Sequence, residues 1–238
     1  MNSNVQDLPT SCWYCNKRPA TTTYTNRKGT RNELVCASCL DLLHLQEDFG
    51  WGIYDNRELD EEERYDELLA WVDQFEEANR HRDHTGWLAR NAAAHRALIY
   101  WQAERYEESL AACDQVEQFG FDNVWQRWLA GSARAQALEG LDRHAEALAA
   151  FEAAFRYQDP GELGSARYFI KPLAEFSANA GKPVDERWRE VVQNVADEYE
   201  VEFPERPTLG ESILALFQLT EGKPSKRERE QAASRKTP

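Results

Sequence analysis

The sequence predicts an all-α protein in which a helix–turn–helix array follows a small module of one β-hairpin and one helix. Ala, Leu, Glu and Arg are plentiful, while the 238 residues include only 12 glycines and 9 prolines, a balance that favours helix. Apolar residues recur at helical spacing from residue 60 onward. Within that stretch a segment repeats after 38 residues, which indicates stacked helical units, or a solenoid.

The acidic charge of the chain is concentrated in its middle. The formal net charge is −14, and residues 222–238 hold six basic and two acidic residues, so residues 1–221 sum to −18. Residues 1–50 hold five charges of each sign. Such a chain repels nucleic acid and anionic membranes. No apolar run approaches the roughly 20 residues of a membrane span, and the N-terminus does not resemble a secretory signal. We therefore expect a cytoplasmic protein with no membrane partner.

Four of the five cysteines form two CxxC pairs, Cys12 with Cys15 and Cys36 with Cys39. In a reducing cytosol, paired CxxC motifs are typical of metal binding. The two pairs together supply four thiolates, which make a closed tetrahedral shell that suits Zn²⁺. The spacing therefore predicts one structural zinc ion held by these four cysteines.

Three other interpretations of the cysteines stay open. A CxxC pair can carry out redox chemistry. A catalytic zinc would keep one coordination position open for water, whereas four cysteines close the shell. His44, about one helical turn past Cys39, could replace a ligand, although we prefer to interpret it as an ordinary helix residue.

The segment around the cysteines predicts the fold of the module. Residues 21–25 are β-branched and aromatic, residues 26–29 form a turn signal, and residues 33–35 read as a return strand before a helix. This order resembles treble-clef zinc modules, including the N-terminal domain of the ClpX-type unfoldase, which recruits adaptors and substrates. The usual glycine after the second cysteine is Asn16 here, and Asn tolerates positive φ. We assign the module to residues 1–48.

Residues 49–59 are interpreted as a linker with aromatic side chains. Phe49, Trp51 and Tyr54 stand among two glycines there, whereas a free linker would be polar. We expect these aromatic residues to pack the module against the rest of the chain.

Residues 60–221 are interpreted as the helical array. The 38-residue offset pairs residues of similar character: Trp87 with Trp125, Ala97 with Ala135, Tyr106 with His144, Leu110 with Leu148, Cys113 with Phe151, and Val116 with Ala154. The second helix of each unit resembles that of a tetratricopeptide (TPR) repeat, whose usual period is 34 residues. A more divergent pair is expected over 162–180 and 183–200. A capping box at Thr208 and Glu211 opens a closing helix, and residues 222–238 are expected to be disordered.

The resemblance to TPR arrays implies a protein or peptide partner, because the first helices of such arrays line a groove that takes these ligands. The candidate contacts on the predicted first helices are Arg90, Asn91, Arg96, Arg127, Arg134, Arg167 and Lys171. The alternative is that some of these arginines pair with acids on neighbouring helices.

Motifs of catalysis are missing from the sequence. It has no Gly-rich phosphate loop, no G-x-S-x-G and no HExxH. We therefore expect a non-enzymatic protein-binding adaptor or scaffold. One alternative is an acidic inhibitor, such as an immunity protein or antitoxin, that covers a cationic partner such as a nuclease. A second is a nucleic-acid-binding regulator that uses the basic residues of the zinc module, although the charge makes nucleic acid the less expected partner.

Overall fold

The computed structural model describes residues 11–120, 124–155, 167–226, 228 and 229, with the backbone alone at 124, 125, 155 and 167–169. The described chain is mostly helical and includes one two-stranded antiparallel sheet. It divides into two compact units, Met1–Ala130 and Gly131–Pro238. No helix within the described ranges has both the length and the apolar character that a membrane crossing needs.

The first unit opens with the predicted hairpin. Strand β1 (Thr22–Thr25) pairs antiparallel with β2 (Asn32–Val35). The side chain of Asn26 closes the turn between them by accepting hydrogen bonds from two backbone N–H groups. Helix α1 (Ala37–Asp55) then begins beside the second cysteine pair, as predicted.

Further helices follow in this unit. They are α2 (Arg57–Glu61), α3 (Tyr65–Asn79), α4 (Trp87–Gln102), α5 (Tyr106–Phe119) and α6 (Val124–Gly140), whose last residues belong to the second unit. A 3-10 turn, Arg80–Arg82, follows α3, and Arg82 lies within ion-pair distance of Asp41 and Asp48 on α1.

The segment 49–59, interpreted above as a linker, is helical in the structure and belongs to α1 and α2. Phe49 is buried, and its ring packs against those of Trp71, Phe75 and Trp87. A Cβ atom on Gly52 would lie 2.1 Å from Cζ2 of Trp71. The glycine therefore permits close helix packing instead of breaking the helix. One continuous helix joins the cysteine module to the helices behind it.

In the second unit the helices also follow the predicted apolar pattern. They are α7 (His144–Phe155), α8 (Arg167–Asn179), α9 (Arg189–Glu198) and α10 (Leu209–Thr220). The capping box of Thr208 and Glu211 opens α10 as predicted. Past α10 the N–H of Lys223 donates to the carbonyl of Thr220, and the N–H of Ser225 donates to the carboxylate of Glu228. Arg229 pairs with Glu200, so these residues differ from the disorder expected there. Positions 227 and 230–238 lie outside the described residues.

The same turn precedes α3, α5 and α7. Two residues after the preceding helix ends there is an acidic residue with φ between 56° and 58°. The next residue is an arginine that pairs with a glutamate three positions later. The three copies are Glu63-Arg64 with Glu67, Glu104-Arg105 with Glu108, and Asp142-Arg143 with Glu146. The second and third copies are 38 residues apart, which is the period of the repeat. The first copy precedes the second by 41 residues, so a search at the 38-residue period misses the first copy.

Candidate metal centre and adjoining groove

The four cysteines of the two CxxC pairs meet in space. The sulfur atoms of Cys12, Cys15, Cys36 and Cys39 all lie within 4.8 Å of one another. A tetrahedral shell with metal–sulfur bonds of about 2.3 Å has sulfur–sulfur edges of about 3.8 Å, so the cluster is close to a ligand shell. These residues could hold a metal ion. His44, the alternative ligand, is exposed on α1 and packs against the ring of Tyr24.

Backbone geometry brings each pair into position. In the first pair, the N–H of Asn16 donates to the carbonyl of Cys12 at 2.8 Å, and Asn16 has the positive φ, 49°, that its side chain was expected to tolerate. In the second pair, Cys36 immediately precedes α1 and Cys39 lies in its first turn. Both pairs are therefore tight turns that point two sulfurs the same way.

The surroundings of the sulfurs shift their pKa values in opposite directions. Burial alone would raise the pKa of the Cys12 thiol, but hydrogen bonds from backbone N–H groups outweigh it and lower that pKa to about 6. A backbone hydrogen bond from Lys17 lowers the pKa of Cys15. Burial, together with the neighbouring sulfurs, raises the pKa of Cys39. The site thus favours the thiolates of Cys12 and Cys15 and disfavours that of Cys39. A bound cation would stabilise the thiolate forms.

A groove of about 600 Å³ adjoins the cysteine cluster within the first unit. Its walls are formed by the first CxxC turn, by α1, and by α4 together with the turn that precedes it. The lining residues are Tyr14, Leu42, Gln46, Phe49, Gly50, Thr85, Trp87, Arg90, Asn91 and His95. This lining includes one arginine and no carboxylate, in a chain whose net charge is −14.

Hydrogen bonds order the polar part of the groove. The amide of Gln46 donates to the hydroxyl of Tyr14 at 3.1 Å, and Arg90 donates to the carbonyl of Thr85 at 2.9 Å. Asn91 donates to the carbonyl of Trp87 at 2.8 Å. Burial lowers the pKa of His95 to about 4, so its imidazole is neutral near pH 7. The groove is therefore lined by aromatic rings, neutral polar groups and one guanidinium, that of Arg90.

The remaining candidate contacts lie elsewhere. Arg96 is mostly buried and pairs with Asp73 and Glu76 of α3, which matches the ion-pair alternative for this residue. Arg127 and Arg134 are partly buried on α6, and the side chain of Arg167 lies outside the described residues. Lys171 stands 3.6 Å from Glu175 and lines a separate cavity of about 590 Å³ in the second unit.

Of the predicted contacts, the structure places Arg90 and Asn91 in the groove. Sequence reasoning missed the aromatic residues beside them, Tyr14, Phe49 and Trp87, as groove residues. Their only signal was an unusual density of aromatic residues near the cysteines and at the start of the repeat.

Comparison of the chain with protein-family models, with curated proteins and with solved structures found no match in any of the three.

Proposed function

We propose that this chain is a non-enzymatic adaptor that binds a protein or peptide partner, and that a structural zinc ion on the four cysteines supports the binding surface. One observation carries the proposal. Tyr14, which stands between Cys12 and Cys15, forms a wall of the groove that also contains Arg90 and Asn91. The cysteine module and α4, the first helix of a repeated pair, therefore contribute to one surface.

The composition of the module supports zinc as the metal. Its buried cluster consists of Tyr24, Val35, Leu43 and three of the cysteines, with Cys15 and Leu40 packed against it. So few apolar side chains give little stability of their own. Four thiolates suit Zn²⁺, and zinc, when bound, would supply the cross-link that folds such a module.

The repeated turn supports a TPR-like array. Three helices begin with the same arginine–glutamate pair after a residue of positive φ, which gives the helix pairs a common local geometry. Arg90 and Asn91 lie on α4, the first helix of its pair. In the family that the array resembles, first helices carry the ligand groove.

The test is a selection of random peptides, about a dozen residues long and displayed on phage, on the full zinc-loaded chain. Arg90→Ala removes the cation of the groove, and Gly50→Leu adds a side chain at its rim, where a Cβ meets no atom within 4 Å. We expect both variants to weaken the selected peptides about tenfold. Arg80→Ala, which removes an exposed arginine paired with Glu77, is the matched control and should bind normally.

Two results would overturn the adaptor proposal. The first is that no peptide family is enriched, or that the enriched peptides bind the groove variants as well as the original chain. The second is that the selected peptides are basic and ignore the groove variants, because they would then bind the acidic helices, as the inhibitor alternative requires.

A further inference from the structure

We infer that the binding surface continues from the groove across the first CxxC turn and takes an acidic peptide segment with two apolar anchors. The inference rests on the proposed function and names the chemistry of the partner. It also means that the cysteine module contacts the partner directly through its own exposed side chains, and not only through Tyr14 in the groove.

The surface in question consists of Trp13, Tyr14 and Leu34, which we name the knuckle patch. Their exposed fractions are 45%, 42% and 46%, which is high for such large apolar side chains. The N–H of Trp13 donates to the carbonyl of Leu34 at 2.9 Å, and the ring centroids of Trp13 and Tyr14 are 6.3 Å apart. The patch is therefore continuous.

Tyr14 joins the knuckle patch to the groove. It belongs to the patch through its ring contact with Trp13 and to the groove as a lining residue. A single extended segment can thus place one apolar side chain against Trp13 and Leu34 and another in the groove. The groove volume of about 600 Å³ lies in the usual range for ligand sites.

Basic side chains lie beside the patch. Residues 11–35 contain five basic side chains and one acidic side chain, Glu33, and Arg27 at the hairpin tip pairs with Asp48 of α1. The guanidinium of Arg31 lies 5.2 Å from the ring centroid of Trp13, and Lys17 and Arg18 are exposed just after the first cysteine pair. Glu33 neighbours Leu34 along β2, so its side chain points to the opposite face of the hairpin. With Arg90 in the groove, this surface complements acidic side chains.

The same observations favour a peptide over single-stranded nucleic acid. Proteins that bind such strands stack bases on open aromatic faces and follow the backbone with rows of cations. Here Arg31 covers a face of Trp13. The net charge of −14 also repels a long polyanion, whereas a short acidic segment meets the positive patch alone.

The experiment measures how the selected peptides bind variants of the full chain by fluorescence anisotropy. We expect Trp13→Ser, Leu34→Ser and Arg31→Glu each to weaken binding about tenfold. Phe119→Ser removes a side chain of similar exposure, 53%, far along α5, and Arg80→Glu reverses an exposed charge, so both controls should bind normally. A normal zinc content confirms that the exposed substitutions leave the module folded.

The peptides themselves give a second readout. We expect the enriched sequences to contain two apolar residues and at least two acidic ones, and replacement of the acids by their amides should weaken binding about tenfold. Basic or neutral consensus sequences would overturn the inference. The inference would also be overturned if an oligouridylate binds the chain and Arg31→Glu abolishes that binding. The surface would then be one for nucleic acid.

The two proposals fail separately. If Gly50→Leu weakens the peptides while Trp13→Ser and Leu34→Ser do not, the adaptor function stands and the extension across the knuckle patch is wrong. If neither set of variants affects the peptides, both proposals are wrong.

Discussion

The hydroxyl of Tyr14 accepts a hydrogen bond of 3.1 Å from the side-chain amide of Gln46, 32 residues later in the chain. This bond connects the turn between Cys12 and Cys15 to the face of α1 that lines the groove. An exposed hydrogen bond contributes about 0.5–1.5 kcal/mol, too little to hold the turn by itself. On our proposal, the cysteine-bound metal holds the turn, and the bond sets the direction of the tyrosine.

We expect metal analysis of the purified chain to find about one zinc per molecule, the stoichiometry of a closed four-thiolate site. Cys12→Ser and Cys36→Ser should each lose the zinc, and with it the peptide binding of the groove. Cys113→Ala is the matched control, because Cys113 is buried on α5 and lies outside the four-cysteine cluster. A folded wild-type chain without metal would contradict the prediction.

Two glycines of α1 should respond oppositely to replacement by alanine. A Cβ at Gly50 meets nothing within 4 Å, so Gly50→Ala should raise the free energy of unfolding by about 0.5–1 kcal/mol through helix propensity. A Cβ at Gly52 would lie 2.1 Å from Trp71, so Gly52→Ala should lower it by about 1–3 kcal/mol. Urea unfolding measures the free energy of unfolding of both variants. Equal changes in the two variants would show that α1 does not pack on Trp71.

The turn before α5 contains a residue in a strained conformation. Glu104 has φ 58°, a left-handed conformation that costs a residue with a Cβ about 1–2 kcal/mol. Glu104→Gly should therefore raise the free energy of unfolding by about 1 kcal/mol. Gln115→Gly, at an exposed position inside α5, should lower it by about the same amount. Destabilisation by both variants would mean that the turn has another conformation.

Stability should depend on pH through His95. Burial lowers the pKa of this residue to about 4 from its ordinary 6.5. Between these values the unfolded chain binds a proton that the folded chain does not, so the stabilisation is complete above about pH 6.5 and is lost as the pH falls toward 4. The expected loss near pH 5.5 is about 1.4 kcal/mol.

His95→Gln should remove this part of the pH dependence. The comparison uses urea unfolding of both proteins between about pH 7 and pH 5.5, above the range in which thiolate ligands of a metal take up protons extensively. Parallel stability curves for the two proteins would show that the folded chain does not lower the pKa of His95.

Local patterns predicted much of the secondary structure. Asn16 adopts the positive φ that its place in the first CxxC turn requires, and Thr208 and Glu211 form the capping box that their spacing indicates. The repeat positions Ala97, Ala135, Leu110, Leu148, Cys113 and Phe151 are all buried. These features depend on neighbours within a few residues, or on one face of one helix, and for that reason a linear pattern contains them.

The segment 49–59 shows where such patterns fail. Two glycines among aromatic residues suggested a linker, yet α1 continues to Asp55. The deciding contacts are those of Phe49 with Trp71, Phe75 and Trp87, which are 22 or more residues away. A glycine that permits close packing and a glycine that ends a helix look alike in a sequence, because the difference lies in the neighbouring helix.

The sequence by itself determined that Cys12, Cys15, Cys36 and Cys39 form one group, because two CxxC pairs about twenty residues apart are typical of a single metal site. Only the tertiary structure decided which predicted contacts share a surface. Arg90 and Arg96 lie on the same helix, six residues apart, yet Arg90 lines the groove while Arg96 pairs with Asp73 and Glu76. Helical spacing places side chains on a face, but the neighbouring elements determine whether that face meets an acid or a groove.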